Sequence, residues 1–392
     1  MKKILFVSSF LDKGGAEKVV SVLSYAFPKE YKMEVLLNAV SDCDFPFNGK
    51  IISMQMKHCT SQTLWYQIRA FVKRVYYLRR LRKKNEYEAV ISFSDSTNVA
   101  NVLTRMYSGK TILSVHTFLS SWETFNYKYV VGPLVRLFYN KSDKVVTVST
   151  DIEMDLVNNY GVDKNKIVTI NNGFDINSIG SDDITQYNDN KRFRFITVGA
   201  LHERKGTWHL IRAFSNVKKQ FQGTELIILG EGENKGYLDE LIKDYKLEES
   251  VFLKGFVQNV RDELIKSDCF VMPSMVEGFP MALCEAISCG LPAVCSDFYS
   301  GARDIIAPEY EGETLTDKYI LAEYGILAPK CSGIHYKACD PLEKQEKVLS
   351  DAMIEMINND SIRKKYREIS KKSIERFSIS ECVNQWIRVI QN

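Results

Sequence analysis

The sequence predicts an α/β protein made of two doubly wound domains, each a mostly parallel sheet covered by helices. Three observations carry this. Short apolar, β-branched runs alternate with helical-period segments along both halves of the chain. A polar Asp/Asn/Ser-rich stretch without period, residues 176–191 (INSIGSDDITQYNDNK), interrupts that alternation once. At 392 residues the chain is long enough for two separate cores.

The first half opens with Lys3–Ser9, an apolar run that reads as a buried parallel strand. Gly14-Gly15 follows, then a helix from Ala16 to Phe27 with Val19, Val20, Leu23 and Ala26 on one face. Strand, glycine turn and helix together let backbone amides approach a phosphate. On its own the pattern equally fits any tight strand–helix turn. Further strands are expected at Met33–Asn38, Glu88–Phe93, Lys110–Val115, Lys144–Val148 and Lys166–Asn171. Ligands gather at the carboxyl ends of such strands. Ser94-Asp95 and His116 stand at two of them. A lone histidine there is more often a structural hydrogen-bonding residue, and Asp95 divides evenly between loop chemistry and turn capping.

Residues 62–84 (QTLWYQIRAFVKRVYYLRRLRKK) form the second informative stretch of this half. Leu64, Ile68, Phe71, Val72, Val75 and Leu78 recur at helical spacing. Arg69, Lys73, Arg74, Arg79, Arg80, Arg82, Lys83 and Lys84 supply positive charge, with Trp65, Tyr66, Tyr76 and Tyr77 among them. Such a helix suits an anionic membrane interface; the plainer alternative is a surface helix whose basic face is solvated.

Bulk composition limits the partners. Residues 1–192 hold 26 Lys/Arg against 19 Asp/Glu, and the remainder 26 against 30, so a small total of +3 hides a basic first half. That excess suits a phosphate-bearing partner or anionic surface and is too small for nucleic acid. Nine cysteines, with no C-x-x-C pair, fit reduced thiols rather than a disulfide framework or a zinc site. Met1-Lys2-Lys3 and the apolar run after it meet Asp12-Lys13-Gly14-Gly15 without a small-residue cleavage site, so no targeting segment is expected. No apolar run reaches the roughly 18 residues of a membrane span.

The second half begins a new sheet at Phe193–Gly199. The turn after it, Ala200-Leu201-His202-Glu203-Arg204-Lys205-Gly206, places two adjacent cations just before a helix, a natural pocket for a pyrophosphate. Leu226–Gly230 with Glu231-Gly232-Glu233, then Val251–Gly255 with Phe256-Val257, supply the next strands and turns, and Tyr324–Ala328 a later strand. The most informative stretch is 273–297, PSMVEGFPMALCEAISCGLPAVCSD. Strand Cys269–Met272 leads into a turn at Gly278-Phe279-Pro280, a helix from Met281, a break at Gly290-Leu291-Pro292 and a strand at Ala293–Ser296. Free amides at Met281, Ala282 and Leu283 are expected to face an anion. Glu277 lies before that helix and Glu285 one turn inside it, so both can reach one ligand. For Glu285 alone, complementing the helix dipole explains the residue equally well. From Pro341 onward the chain reads as helical.

This stretch resembles the E-x7-E signature of the retaining family 4 glycosyltransferases of GT-B fold, here Glu277 and Glu285, with E-G-F-P, E-A and G-x-P-x-V around it. The resemblance extends to Gly14-Gly15-Ala16-Glu17, His116, Asn172-Gly173-Phe174-Asp175, Lys205-Gly206 and the Gly230/Gly232 turn, and so covers both halves. It departs at Ala200, where the family has an Arg; Arg204 is the candidate for that charge. The resemblance implies two Rossmann-like domains facing each other across a cleft. An N-terminal acceptor domain spans 1–175, a linker 176–191 and a nucleotide-sugar domain 192–376, and a C-terminal helix, 377–392, returns to the first domain. It implies catalytic roles for Glu277, His116 and Lys205. Donor contacts are implied from Gly14, Gly15, Arg204, Lys205, Gly278, Phe279, Met281, Ala282, Leu283, Glu285, Phe256 and Val257.

The expected reaction is retaining transfer from a nucleotide sugar, a UDP-sugar rather than a GDP-sugar, to a lipid-linked or polysaccharide acceptor in surface-glycan synthesis, such as capsule or O-antigen. Neither metal nor cofactor is expected. The expected location is the inner face of the cytoplasmic membrane, with 62–84 against the lipid. Rival readings are transfer to a soluble acceptor, a same-fold epimerase or phosphorylase, and a sugar-binding protein that releases no nucleotide with any acceptor. An NAD-dependent oxidoreductase lacks its G-x-G-x-x-G fingerprint here.

Overall fold

The computed structural model describes residues 1–12, 14–42, 44–57, 63–122, 124–174 and 192–392. Gln62, Asp175 and the expected linker over 176–191 lie outside the described residues. The chain divides into two compact units, Met1–Gly173 with Phe377–Asn392, and Phe174–Arg376.

The strands of the first unit are β1 (Lys2–Val7), β2 (Tyr31–Leu37), β3 (Lys50–Ser53), β4 (Ala89–Ser92), β5 (Lys110–Val115), β6 (Lys144–Thr147) and β7 (Ile167–Thr169). Its helices are α1 (Gly15–Ala26), α2 (Leu64–Lys84), α3 (Asp95–Leu103), α4 (Gly132–Phe138) and α5 (Thr150–Tyr160). The sheet is parallel, in the order β3-β2-β1-β4-β5-β6-β7. Chain direction across the sheet therefore reverses between β1 and β4, which makes the gap between their carboxyl ends a switch point where ligands bind. β1 shows why the sheet is buried on both faces. Ile4 and Phe6 join a core that includes α1, while Leu5 and Val7 join one that includes Leu78 of α2.

The second unit repeats this plan over its first five strands. Its strands are β8 (Phe193–Val198), β9 (Thr224–Leu229), β10 (Val251–Gly255), β11 (Cys269–Met272), β12 (Ala293–Ser296), β13 (Ile320–Leu321) and β14 (Ile326–Ala328). They lie in the order β10-β9-β8-β11-β12-β14-β13, with the edge strand β13 antiparallel to β14. Its helices are α6 (Thr207–Gln220), α7 (Lys235–Asp244), α8 (Val260–Ile265), α9 (Met281–Ser288), α10 (Ala302–Ile306), α11 (Lys344–Asn358) and α12 (Asp360–Glu375). The switch point here falls between β8 and β11. The last helix, α13 (Ile379–Gln391), puts Cys382, Val383, Trp386, Val389 and Ile390 into the same core as Val19, Val20 and Leu23 of α1.

Helix α2 corrects the sequence reading of 62–84. Arg74 and Arg82 were expected in its charged outer face and are buried instead, on one row with Ala70 and Leu78. Arg74 donates to Asn38 Oδ1 at 2.8 Å, Ser96 Oγ at 3.1 Å and Ser9 Oγ at 3.2 Å. Arg82 donates to Gly109 O at 3.1 Å, to Thr111 Oγ1 at 3.2 Å and to Asn101 Oδ1. Burial lowers the pKa of each to about 10. The apolar set also divides. Phe71, Val75 and Leu78 pack inward, while Leu64, Trp65, Ile68, Val72 and Tyr76 are exposed, Trp65 by 81 %.

Candidate active site

At the switch point of the second sheet, the turn leaving β8 meets the turn leaving β11. Lys205 Nζ donates to Glu277 Oε1 at 2.7 Å, and Ser274 Oγ donates to the same oxygen at 2.7 Å. The backbones are joined as well, Met275 N–H donating to Arg204 O at 2.8 Å. Gly206 makes this approach possible. It has φ +58°, and a Cβ there would stand 2.6 Å from Pro273 O. The Lys205 stem lies over Gly199, the last residue before the departure at Ala200. Arg204 is half-buried in the single turn Glu203–Lys205. His202 completes the cluster: burial first, then the Lys205 charge, holds its pKa below the ordinary histidine value. Ser274 and His202 had not been singled out from the sequence.

The start of α9 departs from expectation. Met281 N–H donates to Phe279 O at 2.9 Å, closing a three-residue turn over Pro280 (φ −80°, ψ +80°), and Leu283 N–H donates to Pro280 O at 3.0 Å. Two of the three amides expected to face an anion are thus held by backbone carbonyls, because proline fixes a tight entry that the chain satisfies internally. Gly278 O accepts a hydrogen bond from Ser300 Oγ, and Phe279 is buried. Glu285 is half-buried on the first full turn.

Farther along the same strand ends, Gly230 has φ +140° and a Cβ on it would stand 1.9 Å from Gly199 O, so the turns after β8 and β9 touch backbone to backbone. Past β10, Phe256 is strongly exposed and Val257 half-buried. Deeper in this unit, His209, Cys331 and Glu343 offer ligand atoms within 4.8 Å of one another. Both ring nitrogens of His209 are engaged, Nδ1 with Glu346 Oε1 at 2.7 Å and Nε2 accepting the Gly333 N–H at 3.1 Å. Arg212 Nε also donates to Glu346 Oε1, at 2.8 Å. This is a buried ion cluster joining α6 to α11, with its positive charge already supplied by Arg212.

In the first unit, Gly15 faces open space, but the Glu17 carboxylate folds over Gly14, and burial raises its pKa. His116, directly after β5, has Nε2 2.8 Å from Ser114 Oγ and its ring 5.8 Å from that of Phe93. Burial lowers its pKa to about 4, so the ring is neutral at pH 7. Asp95 begins α3 beside Arg74's partner Ser96. Gly14, Gly15 and His116 thus belong to one unit. Arg204, Lys205, Phe256, Val257, Glu277, Gly278, Phe279, Met281, Ala282, Leu283 and Glu285 belong to the other.

Comparison with known proteins identifies the family. The family described as Glycosyltransferase Family 4 matches residues 13–178, and Glycosyl transferases group 1 matches residues 182–322. A Campylobacter jejuni protein named N-acetylgalactosamine-N,N'-diacetylbacillosaminyl-diphospho-undecaprenol 4-alpha-N-acetylgalactosaminyltransferase is 26% identical over 391 residues, 96% of each chain. The amylovoran biosynthesis glycosyltransferase AmsD of Erwinia amylovora is 27% identical over 78% of this chain and 83% of its own. Among solved structures, Anabaena HepE with UDP and glucose aligns over 100% of both chains with a TM-score of 0.75 at 18% identity, a likeness of fold. The chain belongs to the family 4 glycosyltransferases, and its fold is that of the GT-B enzymes.

Proposed function

We propose that the chain transfers a sugar, with retention, from a UDP-sugar to a lipid-linked or polysaccharide acceptor in surface-glycan synthesis. The observation that carries this is the Lys205–Glu277 pair at the switch point of the second sheet. In this reading Lys205, helped by Arg204, takes the charge that develops on the departing diphosphate, so the step draws on side-chain cations rather than a metal. Glu277 contacts the donor sugar and Glu285 the ribose. Phe256 and Val257 lie toward the nucleobase. His116, neutral and held by Ser114, hydrogen-bonds the donor sugar. The leaving phosphate accepts the acceptor's proton on the same face of the sugar, and the protein contributes position. The names of the Campylobacter and Erwinia relatives support a polyprenyl-diphosphate or polysaccharide acceptor.

The first unit lies on the membrane in this reading. Among the described residues no helix is long and apolar enough to cross a bilayer. The exposed row Leu64–Tyr76 followed by Arg79, Arg80, Lys83 and Lys84 suits an inner-leaflet surface, with rings at the acyl boundary and cations at the headgroups. The test is a nucleotide-release screen over UDP-, GDP- and ADP-sugars, with and without a polyprenyl-diphosphate saccharide. Acceptor-dependent release from a UDP-sugar is expected. Binding without any release would leave a sugar-binding protein.

A further inference from the structure

The first five strands of each unit lie in the same order, so the turn leaving β4 in the first occupies the place that the Glu277 turn occupies after β11 in the second. That turn ends at Asp95, the first residue of α3. Two phenols hold its carboxylate: Tyr139 OH donates to Oδ1 at 3.2 Å and Tyr127 OH to Oδ2 at 3.4 Å. Asn98 Nδ2 donates to the Tyr139 oxygen at 3.0 Å, which leaves the phenol's own proton directed at Asp95. No cation pairs with Asp95 among the described residues, and burial raises its pKa. A carboxylate accepts about four hydrogen bonds, and the phenols use two.

Further aromatic rings lie in the segment that carries Tyr127. Tyr127 is stacked on Trp122 with centroids 4.7 Å apart and planes 7° apart. Tyr127 also opens a π-helical turn, Tyr127–Val131, a geometry often found at functional sites. That turn and the residues before it hold Phe125 and Tyr129 out to solvent, their rings 4.8 Å apart and Phe125 76 % exposed. An acyl chain or an anionic headgroup has no use for a half-buried carboxylate. A pyranose does, since its hydroxyls donate to the carboxylate while its C–H face lies on a ring.

We propose that Asp95 and Tyr127 form a subsite for a pyranose of the acceptor, with the rings of Phe125 and Tyr129 flanking it. This rests on the transferase reading above and assigns the acceptor contact to named residues. The test titrates wild type, Asp95→Asn and Tyr127→Phe with farnesyl-diphosphate saccharides ending in N-acetylgalactosamine, galactose or glucose, and separately with UDP. Wild type is expected to bind at least one saccharide. Asp95→Asn should weaken that binding about ten- to a hundredfold, as loss of a hydrogen bond to a charged group does, and Tyr127→Phe a few-fold. UDP affinity should move less than twofold. Saccharide binding within twofold of wild type in Asp95→Asn would overturn the subsite. So would parallel loss of saccharide and UDP affinity, or no saccharide binding by wild type. If Asp95→Asn fails to fold, Tyr127→Phe, which leaves α3 intact, carries the same comparison. Nucleotide release is scored independently, so a failed transferase reading shows there while these titrations still judge Asp95.

Discussion

Lys205 and Glu277 come from turns 72 residues apart in the chain, yet their charged atoms stand 2.7 Å apart, with Ser274 fixing the same carboxylate oxygen. Both side chains are largely screened from solvent. Without ligand, the cation assigned to the diphosphate is therefore held at its post by the carboxylate assigned to the sugar. Lys205→Ala should lower turnover about a hundred- to a thousandfold, the cost of losing one transition-state charge contact. Glu277→Gln should lower turnover more than it lowers UDP affinity, and Glu285→Ala should do the reverse. Steady-state kinetics beside UDP titration reads both. Turnover of Lys205→Ala within twofold of wild type removes that residue from the site.

Gly230 tests the backbone frame of the same site. A Cβ there would run into Gly199 O, and its φ of +140° already strains any other residue. Gly230→Ala should force the turns after β8 and β9 apart, displacing Lys205 along with Gly199. UDP binding should fall together with the melting temperature. A variant that binds UDP normally would show that the two turns tolerate separation.

How much of this was legible in the sequence depends on what each feature rests upon. The strands beneath Glu277 and Lys205 showed because long apolar runs and glycine turns have local causes. The two residues themselves were singled out by their charge beside a helix start and by the resemblance. Strand β3 (KIIS) did not, since a four-residue, half-exposed edge strand leaves no apolar run. Burial of Arg74 and Arg82 was hidden among eight cations on one helix. The row Ala70–Arg74–Leu78–Arg82, four residues apart each time, was the available signal. What reversed its meaning was tertiary: Asn38, Ser96, Asn101 and Thr111, from elsewhere in the chain, supply the acceptors. The entry to α9 was misread because free helix amides are a general rule that Pro280 overrides locally.

The ion cluster of the second unit is a stability element. Glu346, fully buried, accepts from Arg212 and pairs with His209. Removing one member of a buried pair strands the other charge and typically costs about 3–5 kcal/mol. Glu346→Ala should show that loss in urea unfolding, whereas Glu346→Gln, which keeps an acceptor oxygen, should lose less. Equal stability of Glu346→Ala and wild type would mean that the site rehydrates without strain.

His116 gives a pH signature. Its folded pKa of about 4 lies below the roughly 6.5 of an unfolded histidine. The unfolded chain therefore takes up a proton that the folded chain refuses. The stability this provides is complete above pH 6.5 and is lost as pH falls toward 4, at no more than about 1.4 kcal/mol per unit. His116→Asn should flatten that limb of the pH–stability curve, read by thermal melts between pH 4 and 7. An unchanged limb would place the histidine in solvent instead.

The membrane reading yields the most discriminating set of substitutions, because the structure separates surface cations from structural ones. Arg79, Arg80, Lys83 and Lys84 are exposed, while Arg82 hydrogen-bonds the buried Asn101 and Thr111. Replacing the four exposed cations with Gln should release the protein from anionic vesicles, since each contributes about 1 kcal/mol near such a surface and salt screens it. Trp65→Ser with Val72→Ser should also weaken binding, but with little salt dependence, because apolar insertion is not screened. Arg82→Gln should instead destabilise the first unit and leave vesicle binding of the folded fraction unchanged. Vesicle sedimentation at two salt concentrations, beside a thermal melt, separates the three. Wild-type protein that ignores anionic vesicles at low salt would leave α2 an ordinary solvated helix and remove the membrane from the proposal.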